Sequence, residues 1–338
     1  MSQESREIMS SHKNHINGSL NQNSSSSDTH LSVERTDVYK KRVIALGFFD
    51  GMHLGHSTLM KKTREIGFDK NLVPSVATFD IHPINILQQK EVPLINSLDD
   101  RVWLIQAINE IEDILILHFD TGTALMDWEE FIDYLAREFG ARHFTAGEDY
   151  RFGKSGEGNS EKLRQKCAQM RIGCDILPVV KHKGTKVSST NIRELLHNGK
   201  IKEANELLGH PHILSDIVRY GFRLGRKLGT PTINMLFQDG VLVPAHGVYA
   251  TKVYIENYVP YMGITNVGSR PTVDNSGKIT AETHILDFQG NLYGRKVRIE
   301  FHEHLRSEIK FAGLDELKAQ IQKDCASARE YFLGKKRK

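Results

Sequence analysis

Between residues 42 and 180 one pattern repeats: a short apolar run, then a longer segment whose apolar residues recur at helical spacing. The runs lie at 43–48, 76–79, 114–119, 143–146 and 176–180. The intervening segments carry Leu59, Met60, Thr63 and Ile66, then Leu98, Val102, Ile105 and Ile108, then Trp128, Phe131, Ile132, Leu135 and Phe139, with a further helix at 160–170. Parallel strands need a long crossover between them, and a helix provides it. The alternation predicts a Rossmann-like α/β domain: a parallel sheet with helices on both faces.

That domain leaves much of the chain unused. At 338 residues the chain exceeds the roughly 250–300 at which a single core stops growing, so two domains are expected. Helices at 190–198 and 201–208 run out at Gly209 with Pro211 just beyond, a stop signal that marks the boundary. After His212 the runs at 248–255, 259–263, 280–288 and 296–301, separated by Gly, Asn and Asp, predict a small antiparallel sheet or β-barrel. Leu314, Leu317, Ile321 and Ala328 share one face of a C-terminal helix that closes it. Residues 1–40 contain ten serines and four asparagines without periodicity and are expected to be a disordered extension. The expected organisation is an extension at 1–40, an α/β domain at 41–196, a helical linker at 197–212 and a β domain at 213–334.

Charge and cysteine content narrow the partners. The formal net charge of +3 includes four basic residues at 335–338, so the rest of the chain stands at −1 and no nucleic-acid partner is expected. Cys167, Cys174 and Cys325 form neither an even set nor a CxxC pair, which speaks against a disulfide framework and a thiolate zinc site. No stretch nears the roughly 20 apolar residues of a membrane span. A cytoplasmic protein acting on small molecules is expected, with homo-oligomerisation left open.

The first apolar run leads into Gly47-Phe48-Phe49-Asp50-Gly51-Met52-His53-Leu54-Gly55-His56 and directly on into a helix. In a parallel sheet, ligands sit beyond the carboxyl ends of the strands, and a helix start offers free amides to an anion. Gly51 and Gly55 are expected to let the backbone approach a phosphate, with His53 and His56 donating to it. Farther on, Ser188, Ser189 and Thr190 precede a second helix start with Arg193 in its first turn. The hydroxyls suit an ordinary N-cap, but with Arg193 they also suit a second jaw on a triphosphate.

An HxGH element after the first strand and an SSTxIR element at the end of an α/β domain resemble the nucleotidyltransferase superfamily. Together, GFFDGMHLGH (47–56), TFDIHP (78–83), AGEDYRFG (146–153) and VSSTNIR (187–193) resemble the FMN adenylyltransferase domain of prokaryotic bifunctional FAD synthetases. The resemblance implies that FMN phosphate attacks the α-phosphorus of ATP. Gly47, Phe48, Asp50, Gly51, Gly55, Ser188, Ser189 and Thr190 would bind ATP, His53, His56 and Arg193 would stabilise the reacting phosphates, and Asp149 and Arg151 would face the flavin. The chain departs from the family at Ile81, where Pro is common, and at Phe48, where Asn is frequent.

The second domain opens with Gly221, Gly225 and Gly229 at four-residue spacing, followed by Pro231-Thr232-Ile233-Asn234. The order is not that of a P-loop, and the glycines alone suit a flexible turn. Thr232 and Asn234, two apart on an extended segment, point their oxygens the same way and suit a magnesium ion held by phosphates. The string resembles the GRxLGxPTxN signature of riboflavin kinase. Further matches follow at 247–251, 265–272, 282–288, 292–294 and 305–311. The resemblance implies an antiparallel β-barrel riboflavin kinase domain in which Gly221, Gly225, Arg226, Gly229 and Thr232 bind ATP. It makes Glu282 the base for the ribityl hydroxyl and places Arg306 and Glu308 at the flavin. Asp216 stands where the family has Gly.

The expectation is thus an enzyme that phosphorylates riboflavin to FMN and adenylylates FMN to FAD with ATP and magnesium. Two alternatives stay open: a nucleotidyltransferase for another phosphorylated substrate, and a flavin-binding regulator without turnover.

Overall fold

A computed structural model of the chain describes residues 40–87, 91–221, 229–256, 259–269 and 279–334. Nearly all of the expected extension, Gly225 and Arg226, part of the 265–272 match and the basic C-terminus lie outside the described residues.

Strands β1 (Arg42–Leu46), β2 (Val73–Phe79), β3 (Asp113–Leu117), β4 (Ala141–Gly147) and β5 (Gly173–Leu177) form a parallel sheet in the order β3-β2-β1-β4-β5. All five residues of β1 are buried, because alternate side chains enter two different layers. Ile44 and Leu46 pack with Phe131, Ile132 and Leu135 of helix Trp128–Glu138 and with Leu163 of helix Ser160–Met170. Ala45 packs with Leu59 and Met60 of α1 (Leu54–Lys70) and with Leu104 and Ile105 of helix Leu98–Asn109. From β1 the sheet grows toward β2 on one side and β4 on the other. A crevice therefore opens at the carboxyl ends of β1 and β4, where such sheets bind ligands.

β6 (Lys181–His182) and β7 (Thr185–Lys186) pair with each other, and the second large sheet contains β8 (His212–Ile217), β9 (Thr232–Leu236), β10 (Gly247–Ile255), β11 (Tyr261–Ser269), β12 (Ile279–Ile285) and β13 (Lys296–Arg306). Its order is β8-β13-β10-β11-β12-β9, with every pairing antiparallel. It curls until its edges approach: Arg219 N–H, just past β8, donates to the Asn234 carbonyl at 2.9 Å. Odd-numbered residues such as Tyr249, Val253, Val267, Ala281 and Ile285 fill the inside. That core continues without a break into Ile192 and Leu196 of α7 (Ser189–His197) and Ala204, Leu207 and Leu208 of α8 (Ile201–Leu208). Val248, Ala250 and Ile264, on the opposite face, meet Ala328 and Ile321 of the C-terminal helix α9 (Leu314–Gly334).

Several expected boundaries move. The run at 176–180 becomes β5, which ends at Leu177 because Pro178 has no N–H to give the ladder. β1 stops at Leu46, and Phe49 takes a left-handed φ of 60°. The runs at 259–263 and 296–301 extend to Ser269 and Arg306. Leu314 does not join the buried face of α9: it is 55% exposed in the first turn. One connection joins the halves through main chain alone. Leu94 donates to the Gly240 carbonyl at 2.8 Å and accepts from Leu242 N–H at 2.6 Å.

Candidate active sites

The crevice of the parallel sheet holds a cavity of about 400 Å³ lined by Gly47, Phe48, His53, Gly55, His56, Asp149, Arg151, Ser188 and Ser189, among others. Loops after β1, β4 and β5 and the start of α7 thus converge on one volume. A second cavity of about 570 Å³ lies beside it, shares Phe48, His56 and Ser189, and adds Asp50, Thr190 and Arg193. Gly51 lines neither. A Cβ on it would lie 2.8 Å from Ile95 and 3.2 Å from Leu208, and its φ is 79°, so this glycine answers to packing and turn geometry rather than to phosphate approach.

His53 caps α1, its Nδ1 accepting from His56 N–H at 3.3 Å. In the neutral ring the proton then sits on Nε2. The two imidazoles stack with centroids 3.6 Å apart. Burial pushes His53 down to about 4 and His56 well below the ordinary histidine range, the His53 ring also penalising charge on His56. Both rings are therefore held neutral, able to give a hydrogen bond but no countercharge.

Arg193 is tied down. Its guanidinium donates to the Asp50 carboxylate at 2.6 Å and to the Pro93 carbonyl at 2.8 Å. Asp50 is 2% exposed and also accepts from Ile95 N–H at 2.9 Å and Asn96 N–H at 3.4 Å. Burial raises its pKa, and Arg193 opposes the rise. The Asp50 side chain thus orients Arg193 and the 93–96 segment. Ser188 caps α7 by accepting from Asn191 N–H, and Ser189 donates to the Asp50 carbonyl at 2.9 Å.

Two residues of this site were not singled out from sequence. His82 lines both cavities, its ring 4.7 Å from that of Phe48, and burial lowers it to about 4. A histidine at the carboxyl end of the second strand was the available signal. Arg101, fully buried, donates to the Phe48 and Phe79 carbonyls and lies 4.3 Å above the Phe48 ring. It sits inside a helix, and nothing local marked it.

In the barrel, a cavity of about 230 Å³ between the sheet and α9 is lined by Thr230, Thr232, Asn266, Glu282, His284, Arg306 and Glu308, with Ile264, Phe311 and Ile321 supplying apolar wall. Register puts Glu282 on β12 between Asn266 on β11 and Asn234 on β9. Thr232 also lines a neighbouring cavity of about 370 Å³ with Phe288, Leu292 and Tyr293, and so stands between the two. Asn234 is 4% exposed, and a Cβ on Gly221 would lie 2.3 Å from its Nδ2; Gly221 permits that close approach. Gly229 takes a φ of 76°, and among the described residues nothing lies within 4 Å of a Cβ built on it. Arg306 binds the buried Asp324 of α9 through two nitrogens at 2.8–3.1 Å, while Glu308 lies 3.5 Å from His246. Asp216 accepts from Leu236 N–H at 2.9 Å and so spans the barrel seam.

Comparison with known proteins bears on both halves. A family model for FAD synthetase matches residues 36–191 and one for riboflavin kinase matches 208–332. A bifunctional riboflavin kinase/FMN adenylyltransferase from Listeria monocytogenes is 35% identical over 301 residues, covering 88% of this chain and 94% of the relative. Those from Bacillus subtilis and Escherichia coli K12 are each 34% identical, covering 86% of this chain and 93% and 92% of theirs. A crystal structure from Streptococcus pneumoniae described as a macrolide-efflux protein superposes with a TM-score of 0.77 at 30% identity, covering 87% of this chain and 95% of that one. Among the described residues of the present chain, no helix is long and apolar enough to cross a membrane. Identity and coverage across both halves place the chain in the bifunctional riboflavin kinase/FMN adenylyltransferase family.

Proposed function

We propose that the barrel half phosphorylates riboflavin to FMN and the α/β half adenylylates FMN to FAD, each step drawing on ATP and magnesium. The observation that carries this reading is the presence of two separate cavities into which charged side chains converge, one at the switch point of the parallel sheet and one between the barrel and α9.

In adenylyl transfer, an FMN phosphate oxygen bonds to the α-phosphorus of ATP as the bond to pyrophosphate breaks. His53 and His56 donate hydrogen bonds to the reacting phosphates, and Arg193, oriented by Asp50, supplies the fixed positive charge. Ser188, Ser189 and the start of α7 complete the cradle, and Asp149 and Arg151 face the flavin substrate. In the kinase step, the terminal ribityl oxygen bonds to the γ-phosphorus, ADP leaves, and Glu282 accepts the hydroxyl proton. Thr232, common to two cavities, stands where a phosphoryl group would pass from nucleotide to flavin.

The donors available to a cation there are oxygens: the Thr232 hydroxyl, the Asn234 amide and the Glu282 carboxylate on strands paired in register. That set suits magnesium, which completes its shell with water and phosphate oxygens. Thr232 and Asn234 would hold it, and it would neutralise phosphate charge.

The test is to incubate purified protein with riboflavin, ATP and magnesium and separate the flavins. Sequential appearance of FMN and FAD is expected. FMN without FAD would leave the α/β half to another phosphorylated substrate, and tight flavin binding with neither product would make the chain a regulator.

A further inference from the structure

We propose that His210, which lines none of the cavities above, is a positioning residue for adenylyl transfer: its Nε2–H holds the Gly51 carbonyl and thereby fixes the turn that presents His53 and His56. The proposal rests on the reading of those two histidines as the groups that meet the phosphates.

The turn needs outside support. Phe49, Gly51 and Met52 all have positive φ, at 60°, 79° and 39°, and a residue other than glycine held there costs about 1–3 kcal/mol. Asp50 is held from one side by the 95–96 amides. From the other side comes the junction between α8 and β8. There Gly209 ends α8 with a φ of 79°, and a Cβ on it would lie 2.5 Å from Leu54, the first residue of α1. Asn205 pins this junction to β13, donating to the Phe301 carbonyl and accepting from His212 N–H, both at 2.8 Å.

His210 projects from that frame and is 8% exposed. Its Nε2 lies 3.1 Å from the Gly51 carbonyl oxygen and its Nδ1 2.8 Å from the Pro211 carbonyl oxygen. A neutral imidazole donates from one nitrogen only, so the two carbonyls compete for its proton, and the proposal gives it to Nε2. Given to Gly51, the bond satisfies a buried carbonyl two residues before His53 and ties the turn to the barrel. Without it the turn relaxes, and displacement of a reacting group by about 1 Å costs on the order of 100-fold in rate.

The experiment compares full-length His210→Ala, His210→Gln and His210→Asn, with His56→Ala as reference, measuring both activities and thermal unfolding. Gln carries its amide donor near the position of Nε2, Asn near that of Nδ1. Expected for His210→Ala is a fall of about 10- to 100-fold in kcat for FAD formation from FMN, with KM for FMN and the riboflavin kinase rate changed less than about twofold. His210→Gln should recover most of the loss and His210→Asn little. Wild-type adenylylation in His210→Ala, equal loss of both activities, or rescue by Asn rather than Gln would overturn the proposal. If His56→Ala itself adenylylates normally, the reading of the cavity falls first; if it is inactive while His210→Ala is normal, only the role of His210 falls.

Discussion

At the scale of single residues, neutrality decides what the stacked pair of imidazoles can offer. His53 and His56 lose their charge to burial, so permanent positive charge in the α/β site comes from Arg151 and Arg193, and the direction of Arg193 is set by Asp50. Removing a preorganised donor from such a site costs about 100- to 1,000-fold. His56→Ala should lower FAD formation by that amount while FMN still accumulates from riboflavin. Glu282→Gln should reduce FMN formation by about 100- to 10,000-fold, the range for loss of a general base, while supplied FMN still becomes FAD. Chromatographic separation of the flavins checks both, and loss of both steps in either folded variant would contradict separate sites. Much of the cavity lining was legible in sequence: the HxGH turn and the SSTxIR start are local signals beside a strand end and a helix start, and Glu282, in the middle of β12, stood out through the family-like motif around it. Arg101, His82 and His210 were not: their importance comes from burial against segments distant in the chain. Gly51 was read as room for phosphate and Gly221 as part of a flexible ATP-binding turn, whereas Ile95 and the Asn234 side chain occupy the space beside them.

At the scale of elements, the barrel depends on a seam that strand patterning does not reveal. β8 and β9 are the two edges of the sheet, and what joins them is the Arg219–Asn234 backbone contact together with Asp216, which accepts from Leu236 N–H and pairs with Arg219 at 3.2 Å. The residue that departs from the family pattern is thus built into the closure. Asp216→Ala leaves the Leu236 amide without that acceptor and should destabilise the protein by about 1–3 kcal/mol. Denaturant midpoints and faster amide exchange at Leu236 would register it, and wild-type values in both would refute it. The helices were readable because their apolar faces repeat and their caps are local: Ser97, Asp127, Asn159 and Ser188 each accept from a first-turn amide. Strand ends were less readable, since pairing partners fix them. β13 runs to Arg306 because β10 continues opposite it.

At the scale of the whole molecule, the buried histidines set an acid limit. His53 and His82 sit at about 4 and His212 at about 3, and burial also lowers His56 and His210. Between the ordinary value near 6.5 and these depressed ones, the unfolded chain binds protons that the folded chain refuses. Stability is complete above about pH 6.5 and drains away as pH falls toward 4, at up to about 1.4 kcal/mol per pH unit for each histidine. Asp50 and Asp100, whose pKa values burial raises, hold protons in the folded state and offset part of the loss at the acid end. Thermal unfolding followed from pH 7.5 to 4.5 should show a falling Tm, and a flat profile would count against the buried neutral rings.

The main-chain link at Leu94 bears on how this chain tolerates change. Pro93 gives its carbonyl to Arg193, Leu94 pairs both its amide and its carbonyl with the barrel turn, and Ile95 gives its amide to Asp50. Three successive residues are thus committed to three partners, and two of those partners belong to the crevice while the third belongs to the other half. Because Leu94 joins through backbone atoms, exchanging its side chain is forgiven more readily than altering the spacing. A single residue inserted at 93–95 would put every donor opposite the wrong acceptor and swing the guanidinium away from the crevice.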